Sequence, residues 1–280
     1  MRGIVSTKRK IGMLLCWIAL AIAPSVSAFA ADSQWWHGEL TLGTGVDFST
    51  GDYGEPVDTD LVYVPFSATY LMDDLALTEY PWDQLEFRVT VPFLYIKGPD
   101  DFFSGNPAAT GTSSASGIGN VILRAGYIWL PLPESWLPVF ELRGFLKVPT
   151  ASESENLGTG AVDVKFELEL SKRFGSVSPF AGVGYLFRGD RKSLGLNNFV
   201  LTAVGASVKV HDRISLGLSY EWAEASADSR RDSHELVPYM TLRLPYGLTL
   251  GPYATFGLRG FTADYGGGFS VRYTRPLRGN

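Results

Sequence analysis

The feature that most constrains this chain is a strict alternation of apolar and charged residues from Val162 to Leu170. Apolar side chains occupy every second position, and the positions between them hold Asp163, Lys165, Glu167 and Glu169. Because successive side chains of a strand point to opposite faces, the segment predicts a β-strand with one apolar and one charged face. In hydrocarbon each charge would cost up to about 2–4 kcal/mol, so the charged face must point away from any lipid.

The same rhythm recurs along the chain and predicts twelve strands. Each segment has about 12–16 residues, whereas strands of soluble proteins usually have about 5–6, and about 9–11 tilted residues cross a bilayer. The length therefore favours membrane strands over those of a soluble β-sandwich. The predicted strands cover residues 38–50, 57–72, 84–97, 118–130, 137–148, 161–173, 177–188, 197–210, 213–226, 232–245, 247–259 and 264–275.

The connections between these segments alternate in length. Several even-numbered ones are tight, as at His211-Asp212, whereas most odd-numbered ones are longer and polar. The third, from Gly98 to Gly117, is the longest. Short turns at one end and long loops at the other are typical of bacterial outer-membrane barrels. The sequence thus predicts an all-β fold, a closed antiparallel transmembrane β-barrel of about twelve strands with both termini in the periplasm.

Tryptophan positions favour the same fold. Indole rings prefer the headgroup depth of a membrane, because they combine an apolar body with an N–H donor. Trp222 is predicted near the extracellular interface. The other tryptophans beyond residue 30 are predicted at the periplasmic interface, namely Trp35, Trp36, Trp82, Trp129 and Trp136.

The N-terminus reads as an export signal. A basic stretch, a twelve-residue apolar run and an Ala28-Phe29-Ala30 cleavage site predict a signal peptide over residues 1–30, followed by a barrel domain over residues 31–280. The remaining 250 residues contain no cysteine, which excludes thiolate metal sites and cysteine nucleophiles. They carry 20 basic and 29 acidic residues, a net charge of −9, which argues against a nucleic-acid partner.

Charged residues of the predicted inner faces are the candidate lumen or selectivity residues. One interpretation is a salt-bridged interior that stiffens the wall and nearly fills the lumen. The other is a narrow polar pore whose basic and acidic walls select the solute. Arg88, Arg124, Arg143 and Lys165 are expected to form one basic ladder that attracts anions, provided that nearby glutamates do not neutralise it. The candidates are Glu86, Arg88, Arg124, Glu141, Arg143, Lys147, Asp163, Lys165, Glu167, Arg243 and Arg272.

A lipid-modifying hydrolase is the alternative from another functional class. It would need a serine, a histidine and an acid near the extracellular rim. Only His234 is predicted there, with Glu224, Ser226, Ser229 and Ser233 close in sequence. Serine and aspartate are ordinary at such a rim, so we predict no enzyme, no metal and no cofactor. Acidic residues of the long loops could share divalent cations with lipopolysaccharide.

Several short motifs resemble one known family. They are Ser49-Thr50-Gly51-Asp52-Tyr53-Gly54, Val64-Pro65-Phe66-Ser67, Arg88-Val89-Thr90-Val91-Pro92-Phe93-Leu94, Gly117-Ile118-Gly119-Asn120 and Leu157-Gly158-Thr159-Gly160. The chain thereby resembles the outer-membrane transporters named after the meta-pathway of phenol degradation. That family usually has aspartate where this chain has Asn120, so no carboxylate role carries over there. The resemblance implies a passive outer-membrane channel for small solutes, including organic or aromatic compounds.

Overall fold

The computed structural model describes residues 38–53, 58–73, 83–99, 111–132, 135–189, 196–227, 231–260 and 262–277. Apart from one short 3-10 turn at Pro245–Gly247, the regular structure of these residues is β-sheet. The strands are β1 (Gly38–Gly51), β2 (Thr59–Met72), β3 (Gln84–Pro99), β4 (Thr112–Ile118), β5 (Val121–Trp129), β6 (Val139–Val148), β7 (Asp163–Ser171), β8 (Val177–Phe187), β9 (Phe199–His211), β10 (Ile214–Ala223), β11 (Ser233–Arg243), β12 (Leu248–Arg259) and β13 (Tyr265–Leu277).

All strand pairs are antiparallel, and the sheet closes on itself. β1 pairs with β2 on one side and with β13 on the other, so the first and last strands form the seam. β4 and β5 occupy one position in the wall, because β4 pairs with the distal half of β3 and β5 with its proximal half. Gly119 and Asn120 interrupt this strand. Thirteen strands therefore build a twelve-stranded barrel, which confirms the predicted fold.

The predicted long loop between the third and fourth strands was partly wrong. Residues 112–117, assigned to the loop, form most of β4, and β3 extends to Pro99. The sequence Thr112-Ser113-Ser114-Ala115-Ser116-Gly117 has no alternation of apolar and charged residues, so periodicity could not reveal it. Its strand conformation depends on the ladder that β3 offers.

An apolar belt covers the outside of the barrel. Along β7, Phe166 and Leu168 are exposed, whereas Asp163, Lys165 and Glu169 between and beside them are buried. The exposed apolar and buried charged side chains lie on the two faces that the sequence alternation predicts for this strand. Since an exposed apolar surface of this extent is unstable in water, the belt lies in lipid. Among the described residues, no helix is long and apolar enough to span a membrane.

Aromatic side chains border this belt at both ends. Trp136 is 82% exposed and Tyr246 is 91% exposed at the end where the short turns lie. Tyr185, Phe187 and Tyr265 are exposed at the end where the long loops lie. We call these the short-turn end and the long-loop end. Aromatic girdles at both interfaces are typical of transmembrane β-barrels.

Glycines of the inner face give room to large neighbouring side chains. Gly217 pairs with Tyr239 across β10 and β11, and a Cβ atom at Gly217 would lie 2.1 Å from the tyrosine ring. Gly205 stands in the same relation to Phe180, with a separation of 2.6 Å. Each ring therefore lies close to the glycine backbone of the neighbouring strand, which packs the barrel wall closely.

The loop from β6 to β7 packs against the inner face of the wall. Leu157 of this loop is only 1% exposed and forms an apolar cluster with Leu61, Leu94, Ile96 and Ala151. Two hydrogen bonds fix the base of the loop, since the Thr150 hydroxyl donates to Gly119 O at 2.9 Å and the Ala151 amide donates to Asn120 Oδ1 at 3.3 Å. The interruption between β4 and β5 thus anchors the loop.

Candidate functional site

Most predicted lumen residues lie together on the inner face of four neighbouring wall positions. β3, β5, β6 and β7 carry this set, which we call the charged wall. Its side chains are largely buried inside the barrel, as a face sheltered from lipid requires. The members are Glu86, Arg88, Arg124, Glu141, Arg143, Lys147, Asp163, Lys165, Glu167 and Glu169.

Arg143 is the centre of the charged wall. Its Nε and Nη2 donate to the two carboxylate oxygens of Glu141 at 2.6 and 2.8 Å. Nη2 also donates to Glu169 Oε2 at 2.6 Å, and Glu167 Oε2 lies 3.7 Å from Nη1. A planar guanidinium suits such multiple contacts, because its five N–H donors form a rigid fork. One arginine therefore connects acids of β6 and β7.

The other basic residues of this wall are mostly paired as well. Arg124 forms an ion pair with Glu86 across β3 and β5. Lys147 Nζ lies 2.5 Å from Asp163 Oδ2, in a ladder position where the two residues face each other. Lys165 Nζ lies 2.5 Å from Glu167 Oε1. Glutamates thus neutralise Arg124 and Lys165 of the predicted basic ladder, and an aspartate neutralises Lys147, which lies outside it.

Phe145 is a buried member of this site that the sequence interpretation missed. It is 2% exposed and lies between two cations. Lys165 Nζ is 4.1 Å from its ring centroid, and Arg124 Cζ is 5.9 Å from it. Both distances fit cation–π contacts. Phe145 shares the parity of Arg143 and Lys147 on β6, so its inward position could have been read from the alternation.

Arg88, Arg243 and Arg272 form no ion pair with the described part of the chain. Arg88 Nε donates to the Thr69 hydroxyl at 2.8 Å. Arg272 Nε is buried without a hydrogen-bond partner. Arg243 is exposed at the end of β11. The predicted basic ladder is therefore neutralised at Arg124, Arg143 and Lys165, while Arg88 and two arginines outside it keep their charge uncompensated.

A cavity opens from the lumen toward the long-loop end. The volume available to the centres of water molecules within it is about 190 Å³. One centre needs roughly 10–15 Å³, so the cavity has room for a chain of waters or a small organic molecule. Its walls combine charged and apolar groups. They include Arg143, Lys165, Glu167, Glu169, Phe199, Leu201, Glu221, Glu235 and Tyr253.

The rim does not assemble a hydrolase site among the described residues. His234 Nδ1 lies 2.7 Å from the hydroxyl of Tyr220, an exposed residue of the apolar belt. Trp222 faces His234 in the ladder, and its Nε1 donates to Asp232 Oδ2 at 3.3 Å. A catalytic histidine needs a serine within hydrogen-bond reach, and this imidazole instead contacts a tyrosine. The described residues also contain no group of three or more metal-ligating side chains.

Several predicted features lie outside the described residues. These are the signal peptide over residues 1–30, Trp35, Trp36, Trp82, Ser229 and part of the loop acids. Trp129 and Trp136 lie at the short-turn end, and Trp222 lies at the long-loop end, which are the ends predicted for them.

One protein family matches most of the chain. Residues 77–275 match the profile of the family described as "Putative MetA-pathway of phenol degradation". A comparison with curated protein sequences found no match.

One solved structure shares the architecture at low sequence identity, and two others superpose less closely. An outer membrane channel from Pseudomonas putida F1 superposes with a TM-score of 0.65 and 15% identity, covering 90% of this chain and 100% of the channel. The transport unit of the autotransporter AIDA-I from Escherichia coli superposes with a TM-score of 0.48 and 10% identity, covering 91% of this chain and 94% of the transport unit. The toluene transporter TbuX from Ralstonia pickettii superposes with a TM-score of 0.44 and 9% identity, covering 88% of this chain and 90% of the transporter. The fold is that of an outer-membrane β-barrel.

Proposed function

Since the chain belongs to the family of the phenol-degradation MetA pathway, we propose that it is a passive outer-membrane channel for small organic and aromatic solutes. The observation that carries this proposal is the lumenal cavity, which opens at the long-loop end and has the charged wall as its floor. In this proposal residues 1–30 are removed on export, and residues 31–280 form the mature barrel.

The lining of the cavity supports a solute that has both an apolar ring and a polar group. Phe199, Leu201 and Tyr253 supply apolar surface. Arg143, Lys165 and several glutamates supply charges that replace part of the hydration shell of a polar group. A ligand pocket that is mostly apolar with a few placed polar groups has this composition.

A structural barrel with a blocked lumen is the second candidate, and the density of the ion pairs favours it. The contacts around Arg143 draw side chains of β6 and β7 into one network inside the barrel. If that network fills the lumen, no solute passes. Transport measurements distinguish these two functions directly.

The first experiment is a planar-bilayer recording of the purified protein, combined with swelling of liposomes in phenol or benzyl alcohol. We expect steady ohmic conductance and swelling that exceeds that of protein-free liposomes. Mass spectrometry of protein from the outer-membrane fraction should give a mature chain that begins at Ala31.

Matched variants show whether the charged wall lies along the path that ions take through the barrel. Arg124→Gln leaves Glu86 unpaired and should shift ion preference toward cations. Arg124→Gln combined with Glu86→Gln keeps the net charge and should restore the original preference. Silent bilayers and no swelling for correctly folded protein would contradict the channel and support the structural barrel.

Contact with lipopolysaccharide is a further part of the proposal. The loop acids Asp52, Glu153 and Glu155 lie at the long-loop end, where divalent cations could link their carboxylates to lipid phosphates. In that case chelation of divalent cations should release co-purifying lipopolysaccharide, while a barrel that keeps its lipopolysaccharide after chelation would contradict this part.

A further inference from the structure

Three arginines converge on the lumen at the short-turn half of the barrel. Arg243 on β11 faces Thr249 on β12, and Thr249 in turn faces Arg272 on β13. Arg88 lies on β3, next to Thr69 of β2. Thr69 in turn faces Thr41 of β1, and Thr41 faces Thr274 of β13, two residues from Arg272. Closure of the barrel therefore brings Arg88 of β3 into the same half of the lumen as two arginines from near the other end of the chain.

These three arginines differ from the other basic residues of the charged wall. Arg124, Arg143, Lys147 and Lys165 each have a carboxylate partner. Among the described residues, Arg88, Arg243 and Arg272 have none. Glu141 attracts Arg88 electrostatically, but its two carboxylate oxygens already bind Arg143. The cluster thus keeps a net positive charge.

The wall around Arg272 leaves room for its side chain. Arg272 faces Gly43 of β1, and a Cβ atom at Gly43 would lie 3.5 Å from Arg272 Cγ. The arginine stem therefore lies along the backbone of β1, and its guanidinium reaches the lumen. Its Nε is buried and has no hydrogen-bond partner. Buried donors of this kind normally have a partner, and a ligand oxygen would supply one to Arg272 Nε.

We propose that Arg88, Arg243 and Arg272 form a binding site for the carboxylate of small organic acids in the short-turn half of the lumen. This inference rests on the channel function proposed above, because the acid would reach the site through the lumen. A carboxylate accepts two parallel hydrogen bonds from a guanidinium and offsets its charge. The Thr69 and Thr249 hydroxyls lie beside the arginines and can serve a second polar group.

Benzoate is the probe, because it joins a carboxylate to an aromatic ring. Isothermal titration calorimetry of the detergent-purified protein in low-chloride buffer should show saturable benzoate binding. Benzyl alcohol, which has the ring without the charge, should not bind at this site. Benzoate affinity should also fall as salt rises, because counter-ions screen the arginines.

Variants locate the site. Arg272→Gln and Arg88→Gln should each weaken benzoate binding by about tenfold or more, since a hydrogen bond to a charged group has about that effect. The matched control is Arg173→Gln, because Arg173 is an exposed arginine of a short turn whose Nε donates to Gly175 O. It should bind benzoate as the wild type does. Arg272→Lys, which keeps the charge, covers the case in which Arg272→Gln does not fold, and should retain part of the affinity.

The outcomes separate this site from the channel. Benzoate binding that is lost in the arginine variants supports the site even if the bilayer is silent, in which case only the channel fails. Three results would overturn the site: no benzoate binding, equal binding of benzyl alcohol, or benzoate binding that is unchanged in the arginine variants. If the protein still conducts in the bilayer, the channel function is unaffected by any of them.

Discussion

At the scale of single residues, Arg143 shows why burial of charge in this barrel depends on partners. Its side chain is 6% exposed, and those of Glu141 and Glu169 are 7% and 5% exposed. Two buried carboxylates on neighbouring strands repel each other unless a cation lies between them. Arg143 supplies that cation with three hydrogen bonds.

We therefore predict that Arg143→Met is strongly destabilising. Removing one partner of a buried ion pair costs about 3–5 kcal/mol, because the remaining charge has no compensation. The measurement is the urea midpoint of the barrel refolded in liposomes. Combining Arg143→Met with Glu141→Gln and Glu169→Gln should recover most of the loss, since no bare carboxylate then remains. An Arg143→Met protein as stable as the wild type would show that water already screens this network.

Residue-level roles were only partly predictable from the sequence. The alternation placed Arg143, Glu167 and Glu169 on one face, and the antiparallel register of β6 and β7 brings them together. The unpaired state of Arg272 could not be predicted in this way. It depends on the register of the closed seam, which brings Arg88 of β3 toward Arg272 from far away in the sequence.

At the scale of secondary-structure elements, contrast between the two faces decided which strands could be predicted. β7 could be predicted because one of its faces is apolar and the other is charged. β4 was hidden, because serine, threonine and glycine give both of its faces the same polarity. Its ladder with β3 and the loop anchored at Asn120 supply what its own sequence lacks.

The facing of β7 can be tested by cysteine labelling, since the only cysteine of the chain is Cys16 in the predicted signal peptide. Phe166→Cys and Leu168→Cys should react with a lipid-soluble maleimide, because both side chains belong to the apolar belt. Glu167→Cys, between them, should be protected from that reagent. Because a shift of one residue inverts a strand, labelling of Glu167→Cys in place of its neighbours would reverse the assignment of the whole strand.

At the scale of the whole molecule, the seam between β1 and β13 makes the barrel closed. Thirteen pairs of residues connect these strands, and the Thr41 and Thr274 hydroxyls are 2.8 Å apart across 233 positions of sequence. The number of strands followed from the sequence, because alternation and connection length are local signals. The shape of the lumen did not, because it depends on side chains that meet only after closure.

Closure predicts a specific disulfide. Val46 and Phe269 face each other across the seam, and both are exposed to lipid. Facing residues of antiparallel strands have Cβ atoms about 4.5–5.5 Å apart, near the separation that a disulfide requires. Val46→Cys with Phe269→Cys should therefore crosslink on oxidation, seen as one linked tryptic peptide. The control pair, Val46→Cys with Phe166→Cys, lies on distant strands of the apolar belt and should stay reduced. Crosslinking of the control pair in place of the seam pair would argue for an open sheet or a different strand order.

The charged wall also has a consequence for the order of assembly. Its ion pairs join strands that are near in sequence, with 38 positions between Glu86 and Arg124 and 26 between Arg143 and Glu169. Contacts of short sequence separation form early, whereas the seam must wait for the last strand. A growing sheet can thus neutralise most of its buried charge hairpin by hairpin, so that the half-built edge entering the bilayer carries ion pairs in place of bare ions.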